Sequence, residues 1–108
     1  MPHPQFNRFD VKMRPLAERE NKMSIEESKV LPGSDARELE EKSMNVISEC
    51  ATRIRKARKN NKPVMLTYGA HSIKNCLAPV LISLMEKGWI QHLATNGAGI
   101  IHDWEFAW

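Results

Sequence analysis

Several common signatures are missing from this chain. Its 108 residues hold only two cysteines, Cys50 and Cys76, and these form no Cys-x-x-Cys pair. That excludes a disulfide framework and a cysteine-based zinc site, and makes a reduced, cytoplasmic protein the expectation. No apolar run approaches the roughly 18–20 residues of a membrane helix, and nothing resembles a signal peptide. No membrane partner is therefore expected. Aromatic residues make up 6% of the chain, and none interrupts the basic run Arg53-Ile54-Arg55-Lys56-Ala57-Arg58-Lys59. A nucleic-acid site of that size needs stacking partners or a recognisable motif. With a net charge of only +3, the run reads as a solvated helix end, where cations suit the helix dipole. No nucleic-acid partner is expected.

What the chain does have is concentrated after Pro63. A short apolar strand, Val64 to Thr67, ends in Tyr68-Gly69-Ala70-His71-Ser72 and gives way to a helical pattern. A second strand, Ile90 to Ala94, ends in Thr95-Asn96-Gly97-Ala98-Gly99, and another helix begins. Strands joined through a helix pair in parallel, so both loops should leave one edge of a sheet. Ligands of open parallel sheets bind at that edge. The fold class is thus α/β, a Rossmann-like parallel sheet with flanking helices, of which two strands are recognisable.

Ahead of this unit, Met1 to Gly33 is polar and carries Pro2, Pro4, Pro15 and Pro32. It reads as an extended N-terminal arm, a surface arm or an oligomer contact, with local helical character only at Arg14 to Arg19. Ser34 or Asp35 should cap a helix running to about Arg58. Leu39, Met44, Ile47, Cys50, Ala51 and Ile54 would form its apolar stripe, and Asn60-Asn61 should stop it. The next helix should start near Ser72 or Ile73 and end before Gly88 as a C′ glycine. Pro79 should kink it or move its effective start towards Ala78. Residues 34–108 would be the first part of a nucleotide-binding domain. The last helix ends in Trp104, Phe106 and Trp108 without a cap, so residues 1–108 alone should be poorly soluble or oligomeric.

Chemistry should gather in the two loops. Glycines let backbone N–H groups approach a ligand, and a helix N-terminus favours anions such as a pyrophosphate. Lys74 could pair a phosphate, while Ser72 could cap its helix or bind a ribose. His102 and Glu105 lie three apart on one helical face. With His71 from the neighbouring loop and Asp103, they could form an acid/base set or ligate a metal. His71 and His102 are expected to approach each other. His92 reads as a satisfied core or sheet-edge histidine.

Leu66 to Trp108 resembles the NAD-binding part of deoxyhypusine synthase, and more closely its uncharacterised bacterial branch. In that family a strand ends in Thr-Ser-Asn before a helix, and the next ends in a Thr-Thr-Ala-Gly-Gly loop followed by Val-Glu-Glu-Asp. Ala70-His71-Ser72-Ile73-Lys74-Asn75 stands at the first site and Thr95 to Asp103 at the second. The resemblance implies NAD as cofactor, with Ala70, Ser72, Ile73, Lys74, Asn96, Gly97 and Ala98 as its contacts. His71, His102 and Asp103 would be catalytic, facing a small-molecule substrate of amine type in a homo-oligomer. Ile101 and His102 replace the paired glutamates that hold a polyamine, and Cys76 replaces a glycine. The lysine essential to the family lies beyond the part that the resemblance covers. Two other readings stay open: a non-catalytic α/β oligomerisation module, and a metal-assisted hydrolase using His71, His102 and Asp103.

Overall fold

The computed structural model describes residues 3–108, so Pro2 lies outside the described residues. Helix and strand are mixed in the order α1 (Ile25–Ser28), α2 (Glu41–Lys59), β1 (Met65–Tyr68), α3 (Ala70–Lys74), α4 (Ala78–Glu86), β2 (His92–Thr95) and α5 (Gly97–Ala107). The strands β1 and β2 form a two-stranded parallel sheet with Met65 opposite His92 and Tyr68 opposite Thr95. The helices flank it. No helix among the described residues is long and apolar enough to cross a membrane.

Three helices end in the same way. Asn61, Cys76 and Gly88 each adopt positive φ, at 53°, 59° and 70°. In each case the following N–H reaches back to the carbonyl five residues earlier: Lys62 to Ala57, Leu77 to Ser72, and Trp89 to Leu84. This left-handed stop satisfies carbonyls that the helix leaves without partners. The expected stops at Asn60-Asn61 and Gly88 are present. The third, at Cys76, divides the single helix expected after β1 into α3 and α4. Pro79 then sits in the first turn of α4, where its missing N–H costs nothing.

The start of α2 differs from expectation. Leu31, Pro32, Gly33 and Ser34 form a tight turn, with Gly33 at φ 90° and the Ser34 N–H donated to the Leu31 carbonyl. Proline then glycine suits a type II turn, and it commits Ser34 to closing that turn. The helix begins only at Glu41, and neither Ser34 nor Asp35 caps it. The expected apolar stripe is only partly realised: Leu39 falls before the helix, Met44, Ile47 and Cys50 are exposed on it, and Ala51 and Ile54 are half-buried. A helix of 19 residues is about 28 Å long, whereas a four-residue strand spans about 13 Å. The helix is longer than the sheet, and only its middle, at Ala51 and Ile54, borders a hollow shared with Leu66, Leu84 and Ile90. The Cα radius of gyration of 19.2 Å exceeds the roughly 13 Å of a compact chain this size.

Residues 3–33 hold 3-10 turns at Arg8–Asp10 and Leu16–Glu18 and the single helical turn α1. Only the second lies in the stretch expected to have helical character, so the segment is less extended than expected. The segment is tied to the body where the Val30 N–H donates to the Cys76 carbonyl at 3.0 Å. Few of the described residues are buried: Ile73, Cys76 and Gly99, where α3 and α5 pack together beside the sheet, and Ile90 before β2, beside Ala51, Ile54 and Leu84.

One polar side chain lengthens the sheet. Gln91 Oε1 accepts from the Val64 N–H at 2.9 Å, and its Nε2 donates to the Gly88 carbonyl at 2.6 Å. Its own N–H bonds the Val64 carbonyl. Gln91→Ala should therefore cost about 1–2 kcal/mol, as two modest hydrogen bonds are lost. Equilibrium urea unfolding of the variant against wild type measures this.

Candidate functional site

Each strand hands over to its helix through a single residue. Tyr68 ends β1, Gly69 caps α3, and the helix starts at Ala70. Thr95 ends β2, Asn96 caps α5, and the helix starts at Gly97. Asn96 is a good cap because its Oδ1 accepts from the Gly99 N–H, at 3.0 Å, satisfying one free donor of the first turn. The two caps are neighbours: a Cβ built on Gly69 would lie 3.7 Å from Asn96 Nδ2. The loops thus leave the same sheet edge side by side, with two helix N-termini facing one region.

The glycines of α5 have different duties. A Cβ on Gly99 would sit 2.1 Å from Thr95 Oγ1, so this position must be bare for the helix to lie against its own strand. A Cβ on Gly97 would meet nothing within 4 Å. Packing asks nothing of Gly97, and the space above it is open to a ligand.

The residues expected to bind a cofactor are distributed unevenly. Asn96, Gly97 and Ala98 are exposed at the start of α5, and Ala70 is half-buried at the start of α3. Ser72 does not cap its helix. It is the third helical residue, its N–H bonded to the Gly69 carbonyl at 3.2 Å, because the glycine immediately after the strand has already begun the helix. Ile73 is 5% exposed and belongs to the core. Lys74 ends α3 and lines a hollow of about 350 Å³ together with Arg19, Lys22, His102, Glu105 and Phe106.

Within that hollow His102 Nδ1 lies 2.8 Å from Glu105 Oε2, so the face-sharing expected from their spacing is realised. Arg19 Nη2 lies 3.7 Å from the other oxygen of Glu105. Asp103 lines a different hollow, of about 200 Å³, with Tyr68, Ile73, Leu93 and Gly99. His71 is exposed on α3 and lines neither hollow. His71, His102 and Asp103 are therefore not gathered at one point. Among the described residues no three histidine, cysteine or carboxylate side chains are grouped to hold a metal. A metal-assisted hydrolase would need such a set. Arg19 and Lys22 had no sequence signal, since nothing local links the N-terminal segment to α5.

No family model, no curated protein and no solved structure matches this chain.

Proposed function

We propose that this chain is the NAD-binding portion of a deoxyhypusine synthase-like enzyme with a Rossmann-like sheet, acting by transferase or oxidoreductase chemistry on an amine-type substrate. The observation that carries the reading is the pair of abutting helix N-termini with unobstructed space over Gly97. Free N–H groups and the positive ends of two helix dipoles suit a pyrophosphate. Asn96, Gly97 and Ala98 would receive it, and Ala70 and Ser72 would flank it from the other loop. Lys74 would meet negative charge further along α3. NAD, when bound, supplies a hydride acceptor; the chain holds and orients it.

Isothermal titration with NAD tests this. Wild type should bind, and Gly97→Val should weaken binding about tenfold or more, equivalent to about 1.4 kcal/mol, while its melting temperature holds. Lys74→Ala should cost about 1–3 kcal/mol if it pairs a phosphate. No heat from folded protein at millimolar NAD would sink the reading.

A second reading has its own observation. Ile100, Ile101, Trp104 and Trp108 are 63%, 58%, 50% and 62% exposed, and the two indoles stack with centroids 6.4 Å apart. An apolar surface of this kind marks a contact with another chain, so an oligomerisation module is the alternative, and a homo-oligomer is proposed under either reading. Sedimentation over a concentration series should show association, reduced in Trp104→Ser/Trp108→Ser. A strict monomer that binds NAD would overturn the homo-oligomer and the module reading and leave only the NAD-binding reading. A cytoplasmic setting is proposed with it, since exposed Cys50 has no cysteine partner.

A further inference from the structure

We propose that the hollow between residues 19–23 and α5 binds a small molecule carrying a carboxylate or phosphate, and that His102 is its proton acceptor, positioned by Glu105. The hollow lies further along α5 than Asn96 and Gly97; it shares Lys74 with the dinucleotide reading, and Gly97→Val separates the two.

The carboxylate of Glu105 accepts hydrogen bonds and donates none. Its 2.8 Å contact with His102 Nδ1 therefore places the ring proton on Nδ1. In the neutral imidazole Nε2 is then the free acceptor. The second oxygen of Glu105 faces Arg19, which holds the carboxylate from the other side. The side chain of His102 is 30% exposed, reachable from the hollow but largely shielded.

Charge decides the kind of ligand. The lining contains Arg19, Lys22 and Lys74 against Glu20 and Glu105. Arg19 is engaged with Glu105, which leaves Lys22 and Lys74 facing Glu20 alone. An anionic group is favoured there, and Met23 and Phe106 offer apolar contact for the rest of a small molecule. In the step itself, an N–H or O–H bond of the ligand breaks and an Nε2–H bond forms. The electron pair stays on the ligand atom, and the new imidazolium charge lies against Glu105. No oxidant or further reactant enters.

The nitrogen shifts of the neutral His102 ring in isotope-labelled protein report the tautomer. Wild type should carry its proton on Nδ1. In Glu105→Gln the amide can donate to Nδ1, and the proton should move to Nε2. A wild-type ring protonated at Nε2 would overturn the positioning role. Inorganic phosphate and acetate are then added separately to see which anion the hollow prefers. Either should shift the His102 and Lys74 signals, about tenfold more weakly in Lys74→Met, as expected for one lost charge-assisted contact. Signals unmoved by both anions, or a Lys74→Met response equal to wild type, would overturn the anion site. Gly97→Val should leave this response intact, so a failure here is distinct from a failure to bind NAD.

Discussion

Gly99→Ala should lower stability by about 1–3 kcal/mol, the usual cost of forcing an extra methyl into a closed contact. The sign is the informative part. Within a helix, glycine to alanine ordinarily gains up to about 1 kcal/mol. At Gly99 the added carbon would meet Thr95 Oγ1 at 2.1 Å, with Thr95 Cβ and Cγ2 behind it at 3.4 and 3.6 Å. Turning χ1 of Thr95 can move the hydroxyl, but its Cβ stays at 3.4 Å from the added carbon, at the tight end of ordinary contact. For a chain this size the loss corresponds to a fall in melting temperature of about 4–8 °C per kcal/mol. Gly97→Ala, two residues earlier in open space, should be neutral or slightly stabilising. Thr95→Ala removes the obstructing oxygen, so Thr95→Ala/Gly99→Ala should recover most of what Gly99→Ala loses. Additive losses in that double-mutant cycle would show that the helix does not rest on its strand as described.

Cys76→Val should be more damaging still, by about 3 kcal/mol or more. Cys76 is 1% exposed and holds φ 59°, a conformation costing an L-residue about 1–2 kcal/mol. A β-branched side chain is a genuine outlier there, and the larger volume has no space to occupy. Cys76→Gly makes the opposite exchange. It relieves the backbone and loses the packed thiol, two effects of similar size, so its melting temperature should stay near wild type. Calorimetry on the two variants separates backbone from packing. If valine proves harmless, the left-handed stop between α3 and α4 is not fixed by this residue.

Much of the body was legible in the sequence because its signals are local. The two strands lie within a residue or two of where their β-branched and apolar runs end, and Asn60-Asn61 and Gly88 stop helices by short-range hydrogen bonding. Cys76 was harder. It stands where the resemblance puts a glycine, and the positive φ shows what a glycine would do there, yet cysteine gives no sign of a helix stop. Ser34 misled because a serine after Pro-Gly serves a turn and a helix cap equally well on paper. Of the stripe expected on α2, Leu39 lies before the helix and only Ala51 and Ile54 are half-buried, because a periodic pattern does not reveal how long the opposing surface is. At the candidate site, the adjacency of the two loops followed from chain topology. The division of His102 from Asp103 did not. Neighbours on a helix point about 100° apart, and which hollow each one meets depends on Lys74 and Arg19, brought in from other segments.

The three left-handed helix stops also bear on how the chain reaches this arrangement. Each is written within about six residues, so α2, α3 and α4 can end correctly before any strand has paired. The sheet itself must join Val64 to Gln91, which are 27 residues apart, and closing a flexible loop of that length is entropically unfavourable. Two short helices with fixed ends shorten and stiffen the intervening chain, reducing the search that parallel pairing demands. Substitutions at Asn61, Cys76 and Gly88 should accordingly retard refolding. Those at Gly99, whose contact forms once α5 settles on a finished strand, should chiefly hasten unfolding.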